Sequence, residues 1–294
     1  MEPRRQGRPT GHDLERYAKL FAARTRVMKS SAMRDLMALT ERPEVISLAG
    51  GLPDTSTFER ASYAAIQQRV GSESLARALQ YGPTEGLAPL KRCIVEVMAQ
   101  EATHVGADEL LVTTGGQQAI DLVCKTLIDP GDVVVAEGPT YPGAVPTFQN
   151  PAGVTMSLPR RRRLVEVARE RELLVVEDNP YGMLRYSGEA LPTLRSMEGG
   201  DFVIYLGTFS KILSPGIRLG WVAAPGPVLE KLNLGKQATD LCSSAFTQMF
   251  VATLFEEPGA WLRYVDVVRE TYRVRRDAML EALDEHLGAV ASWT

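Results

Sequence analysis

Short runs of consecutive apolar residues alternate along this chain with segments of helical apolar spacing, and glycine, proline or polar turns separate them. Residues 13–41 have a helical pattern, with Leu14, Tyr17, Ala18 and Phe21 on one face and Met33, Leu36, Met37 and Leu39 further on, and Pro43 ends it. Ile46 to Pro53 reads as a short strand entering a paired-glycine turn, Gly50-Gly51. A second turn, Tyr81 to Leu87, leads into a helix from about Ala88 to Glu101. Glu109–Thr113 reads as a strand, followed at once by Thr114-Gly115-Gly116-Gln117-Gln118 and a helix carrying Ile120, Leu122, Val123 and Leu127. Val133–Ala136, Leu173–Val176 and Phe202–Leu206 are wholly apolar runs of the kind buried in parallel sheets. Ser157 as N-cap and Pro159 in the first turn open a helix, with Leu164, Val165, Val167 and Ala168 as its buried face and Arg160 to Arg163 as a wet one. After Trp221–Ala224, residues 228–237, 240–256 and 260–287 are helical in spacing. Strands alternating with helices predict an α/β fold, with a mostly parallel central sheet flanked by helices.

Candidate chemistry gathers where the predicted strands end. After Phe202–Leu206 come Thr208-Phe209-Ser210-Lys211, and Arg218 follows seven positions after the lysine. Lysine forms Schiff bases with carbonyl cofactors, and hydroxyls beside a fixed guanidinium make a phosphate clamp. An aldehyde and a phosphate in one ligand suggest pyridoxal phosphate (PLP). Gly115-Gly116 before a helix start offers backbone N–H groups and the helix dipole to an anion. Asp178, after Leu173–Val176, is a carboxylate at a strand's carboxyl end, suited to pair with a pyridinium nitrogen. Tyr141 can stack on a planar ring. Each has a plainer alternative: Lys211 and Arg218 as a surface strand end, Gly50-Gly51 as a tight turn, Asp178 as a turn cap, Tyr141 as packing.

Composition narrows the class. Of the 294 residues, 45% are hydrophobic and 23% charged, ordinary values for a soluble globular protein, and the net charge of −3 gives no electrostatic case for nucleic acid or a membrane surface. No run is long and apolar enough for a membrane span. Cys93, Cys124 and Cys242 are odd in number and lack metal-type spacing, which predicts buried thiols in a reducing, cytoplasmic setting and no metal. His12, His104 and His286 sit in polar surroundings, and no Gly-x-Gly-x-x-Gly follows a strand, so a dinucleotide has no support.

Together these motifs resemble the fold-type I PLP-dependent aminotransferases of class I/II. Within them the chain is most similar to the bacterial 2-aminoadipate/aromatic aminotransferase-like group and to the aminotransferase-like half of MocR-type regulators, from about Ser30 to Leu283. The resemblance implies that Lys211 carries PLP and shuttles the substrate's α-proton, and that Asp178 pairs with the pyridine nitrogen. It implies that Tyr181 and Asn150 bond the phenolic oxygen and that Tyr141 stacks on the ring. Gly115, Gly116, Gln117, Thr208, Ser210 and Arg218 then hold the phosphate. Tyr81 matches a tyrosine that reaches the neighbouring subunit's phosphate, which implies a homodimer. Gly51 matches a contact near the substrate carboxylate, and Arg34 lies where relatives contact a side-chain carboxylate. The implied reaction moves an amino group from an amino acid to a 2-oxo acid. The rivals are a PLP-binding regulatory module, for which the residues before the resemblance are too few to hold a winged helix, and another PLP reaction, β-lyase or decarboxylation.

Two departures from the family pattern stand out. Several dozen residues, including a strand and a helix of the central sheet, normally separate the stacking tyrosine from the Asn-Pro-x-Gly turn. Here Tyr141 and Asn150 are nine positions apart, which implies an internal deletion near 145–146. The family's substrate-carboxylate arginine lies beyond Thr294, which implies an incomplete small domain. The expected division is an N-terminal arm and helix over 1–44, a PLP-binding large domain over 45–256, and an interdomain helix with the start of the small domain over 257–294. A missing central strand predicts exposed sheet edge and poor solubility.

Overall fold

The computed structural model of the protein describes Tyr17, residues 20–22, Thr25, residues 44–45, 51–137 and 155–293. Two compact units divide between Gly50 and Gly51. In the first, Thr25 closes a turn on the carbonyl of Ala22, through its N–H at 3.0 Å and its hydroxyl at 2.8 Å. Most of the helix expected over 13–41 and the run 46–50 lie outside the described residues. So do Arg34, Tyr141 and Asn150.

The second unit is built on a four-stranded sheet of β1 (Leu110–Thr113), β2 (Val175–Asp178), β3 (Val203–Thr208) and β4 (Gly220–Ala223), in the order β1-β4-β3-β2. β2 runs parallel to β3, and β4 is antiparallel to both β3 and β1. Three strands therefore share one direction and β4 alone opposes them, which keeps the expected mostly parallel α/β character. Register aligns Thr113, Gly220 and Thr208 in one row across β1, β4 and β3, and sets Asp178 opposite Leu206. The carboxyl ends of β1, β2 and β3 thus lie along one rim, the usual place for ligands of open α/β sheets.

Side-chain alternation along the strands feeds two cores. Leu111, Ile204, Leu206 and Val222 face α4 (Gly116–Leu127) and α6 (Gly226–Thr239), meeting Ile120, Leu122, Leu229 and Leu232. Leu110, Val112, Tyr205 and Trp221 face the other way, onto α1 (Arg60–Glu73), α3 (Ala88–Ala99), α7 (Ala245–Phe255) and α8 (Ala260–Leu287). The short α2 (Leu75–Ala78) adds Ala78 to this second core, while α5 (Leu158–Glu170) packs Val165 on Val203 and Leu194. Each fully buried Leu, Ile or Val is worth about 1.5–3 kcal/mol. The second core also fixes the turn after β3. Phe209 is wholly buried with its ring 5.1 Å from that of Trp221, Ile212 and Leu213 are buried, and the Tyr264 hydroxyl donates to the Leu213 carbonyl at 2.7 Å. Lys211 therefore projects from a turn anchored on both sides.

Four expectations are corrected. Val133–Ala136 is not a strand: it is irregular, and Val133 and Val135 are 89% and 93% exposed. Among the described residues nothing pairs with it, and an apolar run cannot stay in a sheet without neighbours to take its N–H and C=O groups. The strand at Leu173–Val176 begins two residues later, at Val175, and is not buried, since Leu173, Leu174 and Val176 are 55%, 43% and 43% exposed. The cause is topological, because β2 ends the strand order and pairs only with β3 among the described residues. Arg161 does not belong to a wet face. It donates to the carbonyls of Met156 and Pro192 and lies 3.6 Å from Glu177. As expected, Ser157 occupies the N-cap of α5 with Pro159 in the first turn, though its side chain makes no capping hydrogen bond. All three cysteines are free, but only Cys93 is buried; Cys124 and Cys242 are half-buried, against the expected buried thiols.

Candidate active site

The first group of site residues forms around the anchored turn. The Lys211 Nζ donates to the Gly51 carbonyl at 2.9 Å and lies 5.4 Å from the centre of the Tyr181 ring. Gly51 has φ of +53°, and a Cβ there would stand 3.2 Å from the Tyr181 hydroxyl. Burial holds the Lys211 ammonium below its ordinary pKa, so a larger share of it is neutral amine. A cavity of about 240 Å³ opens at this point, lined by Leu52, Pro53, Leu184, Tyr186 and Tyr272 in addition to Gly51, Tyr181 and Lys211. Tyr272 comes from α8, and its hydroxyl accepts the Asp54 N–H at 2.9 Å, which ties the helix to the segment bearing Gly51.

Asp178 ends β2, the strand paired with the one that leads into the Lys211 turn. Burial alone pushes its carboxyl up to about 7, and among the described residues no hydrogen-bond donor or cation offsets the loss of solvent. The next residue is firmly held. The Asn179 side-chain amide donates to Glu101 Oε1 at 2.9 Å, the Tyr205 hydroxyl donates to Glu101 Oε2 at 2.9 Å, and the Asn179 N–H donates to the Leu206 carbonyl at 3.0 Å. The peptide between Asp178 and Asn179 is thereby fixed, while the Asp178 carboxyl has no charged or hydrogen-bonding partner among the described residues.

The second group lies across the same rim. Gly115 has φ of +80° and is the N-cap of α4, where it has no side chain to cap the first-turn N–H groups. A Cβ at Gly115 would fall 2.6 Å from a guanidinium nitrogen of Arg218, and one at Gly220 would fall 2.8 Å from the Gly115 backbone. The close stacking of these chain segments thus depends on both glycines. Arg218 has φ of +53°, and its Nη2 donates to the Thr114 carbonyl at 3.4 Å. Thr208 and Ser210 are mutually hydrogen-bonded at 3.0 Å, with the Ser210 N–H also donating to the Thr208 hydroxyl at 3.1 Å. Gly116 and Gln117 begin α4 in the same neighbourhood, where a Cβ on Gly116 would lie 4.0 Å from Thr208.

Of the predicted residues, then, Gly51, Tyr181 and Lys211 meet at one cavity, and Gly115, Gly116, Thr208, Ser210 and Arg218 meet at another point of the rim. Asp178 lies on the strand next to β3. Tyr81 is 78% exposed and, among the described residues, no hydrogen bond joins its side chain to either group. The cavity residues Leu184, Tyr186 and Tyr272 were not legible in the sequence, since none belongs to a motif. Among the described residues no cluster of His, Cys, Asp and Glu could hold a metal ion, and no helix is long and apolar enough to cross a membrane.

The family model for class I and II aminotransferases matches residues 43–149 and 144–293. The aromatic-amino-acid aminotransferase 1 of Thermococcus litoralis is 39% identical over 324 positions, covering 95% of this chain and 78% of that protein. Since 95% of 294 residues is about 279, about 45 of those positions have no counterpart here. The two family matches meet near 145–146, where the spacing of Tyr141 and Asn150 implies a deletion. Among solved structures, a kynurenine aminotransferase of Pyrococcus horikoshii in complex with PMP superposes with a TM-score of 0.86 at 36% identity, covering 96% of this chain and 80% of that one. The alpha-aminoadipate aminotransferase of Thermus thermophilus, complexed with N-(5'-phosphopyridoxyl)-L-leucine, gives 0.81 at 34%, covering 92% and 78%. The chain belongs to the class I and II aminotransferase family.

Proposed function

We propose that this PLP-dependent aminotransferase carries its cofactor on Lys211, seats the phosphate between the α4 N-terminus and Arg218, and pairs the pyridine nitrogen with Asp178. When bound, PLP supplies an aldehyde that condenses with amines and a ring that takes up the electron pair left when a substrate's α-proton is removed. The observation that carries the reading is the Asp178 carboxyl, which among the described residues has no donor or cation beside it. A group held up to about 7 by burial alone fits a site that receives a cation, and a protonated ring nitrogen beside it restores an ionised carboxylate. The glycine cradle supports the same cofactor. Gly115 and Gly220 leave backbone, not side chain, where a phosphate must come close, and the exposed Arg218 guanidinium stands beside it.

The residues divide the work. Lys211, whose charged form burial disfavours, takes the α-proton of the amino-acid substrate and returns it elsewhere. Asp178 holds the ring nitrogen's proton. Tyr181 and Asn150 orient the phenolic oxygen and Tyr141 packs on the ring. Gly116, Gln117, Thr208 and Ser210 bind phosphate oxygens beside Arg218. The carbonyl of Gly51, now taken by Lys211, lies near the substrate's carboxylate, with Arg34 as a further contact. Leu52, Pro53, Leu184, Tyr186 and Tyr272 offer a mainly apolar and aromatic cavity to the substrate side chain, which supports an aromatic or long apolar amino acid as donor and a 2-oxo acid as acceptor. In this reading the large domain spans 45–256 and the small domain begins within 257–294. The protein works in the cytoplasm as a homodimer, with the exposed Tyr81 reaching the neighbouring phosphate. Coupled assays of the purified protein with PLP and a panel of amino donors test it: a 2-oxo acid accumulates with aromatic donors. Pyruvate and ammonia with no dependence on an acceptor would overturn it.

A further inference from the structure

Behind the N-terminus of α4 lies a buried charge that the proposed mechanism does not use. Lys236, on α6, has a fully buried side chain. Its ammonium donates to Asp240 Oδ1 at 2.6 Å and reaches Gln118 Oε1 at 3.4 Å. Both acceptors also hold Thr114. The Thr114 hydroxyl donates to Asp240 Oδ2 at 2.7 Å and lies 3.1 Å from the Ser243 hydroxyl, and the Thr114 N–H donates to Gln118 Oε1 at 2.7 Å. The Thr114 carbonyl accepts from Arg218. Every polar group of Thr114 is therefore engaged, and the peptide that follows it leads into Gly115 and Gly116. Burial pushes the Asp240 carboxyl up, but hydrogen bonds from Lys236, Thr114 and Gln118 outweigh it and hold the group below its ordinary value.

An ion pair with a fully buried lysine seldom adds net stability over apolar groups of similar size, because desolvation consumes the Coulombic gain. Its value here is geometric. Glycine at φ of +80° leaves the Gly115 peptide soft, and a clamp on the preceding residue removes that softness at the point where amides and guanidinium must converge on one ligand. We propose that Lys236 and Asp240 act through Thr114 as positioning residues for the phosphate seat, aligning the Gly115–Gly116 amides and Arg218 for the phosphate of PLP. The inference rests on the phosphate seat proposed above.

The test compares two probes with the same aldehyde and ring, PLP and phosphate-free pyridoxal, by their dissociation constants for the wild type, Thr114→Val, Thr114→Ser and the double variant Lys236→Met with Asp240→Leu. The expected result is that the wild type prefers PLP, and that Thr114→Val and the double variant lose at least about tenfold in PLP affinity while pyridoxal binding is unchanged. Thr114→Ser, which keeps the hydroxyl, retains the preference. Inorganic phosphate likewise raises the melting temperature of the apo wild type but not of the two impaired proteins. The inference is overturned if PLP and pyridoxal weaken together, which marks general destabilisation, or if the variants keep the full preference. A wild type that binds both probes alike overturns the phosphate seat and this inference with it, whereas trapping of the cofactor on Lys211 is scored separately.

Discussion

Replacing Asp178 by asparagine separates what the cofactor site costs the fold from what it gives to function. Burial raises the Asp178 carboxyl from 3.8 to about 7. The folded apoprotein therefore keeps a proton there that the unfolded chain releases, so its stability is full below about pH 4 and falls as pH rises towards about 7. A shift of roughly three pK units at 1.36 kcal/mol each amounts to about 4 kcal/mol lost by pH 8. Asparagine carries no charge and escapes this loss, though an unpaired buried amide gives back about 1 kcal/mol. Urea denaturation of apo wild type and Asp178→Asn at pH 4, 6 and 8 reads the difference. The variant is more stable by about 3 kcal/mol at pH 8, and its advantage vanishes by pH 4. PLP reverses the order, because only the wild type gains a cationic partner for the carboxylate. Equal stabilities at pH 8, or a difference that does not change with pH, would show that Asp178 has a partner in the apoprotein and would refute the reasoning.

Three further outcomes follow from the same geometry. Arg218→Ala removes a charge-assisted phosphate contact and weakens PLP by about 10- to 100-fold, read by cofactor titration at fixed salt, with little change in apo stability. Gly115→Ala places a Cβ against the Arg218 guanidinium at a backbone angle that L-residues disfavour, and it reproduces the Arg218 loss in the same titration. Val176→Lys puts a charge on the open edge of β2, where the valine is 43% exposed, and lowers the protein's light scattering at a given concentration without altering its far-UV circular dichroism.

Much of the fold was legible because local pattern and burial agree along β1 and β3. Val203–Thr208 is buried at every position, as its apolar run predicts, and Ala88–Ala99 and Ala260–Leu287 follow their helical spacing closely. Where neighbours in the sheet decide the outcome, the sequence misleads. Val133–Ala136 and Leu173–Val176 are as apolar as β3, yet among the described residues they lack a partner on one or both sides, and they are exposed. The site divides the same way. Within the candidate site, Lys211, Asp178, Gly115 and Arg218 stood out in the sequence because strand ends and glycines mark where backbone and a ligand can meet. Lys236 and Asp240 were not: a lysine and aspartate four apart on a helix look like a surface pair, and only tertiary packing makes the lysine fully buried. Tyr186 and Tyr272 reach the cavity from distant segments and carry no local signal.

The central claim is that Lys211 carries the cofactor. Borohydride reduction of the protein after incubation with PLP, followed by mass spectrometry of the peptide containing Thr208 to Arg218, measures it directly. The account predicts one phosphopyridoxyl group on Lys211, and no incorporation in Lys211→Ala at matched PLP. Label on other lysines only, or equal labelling of the Lys211→Ala protein, would contradict it.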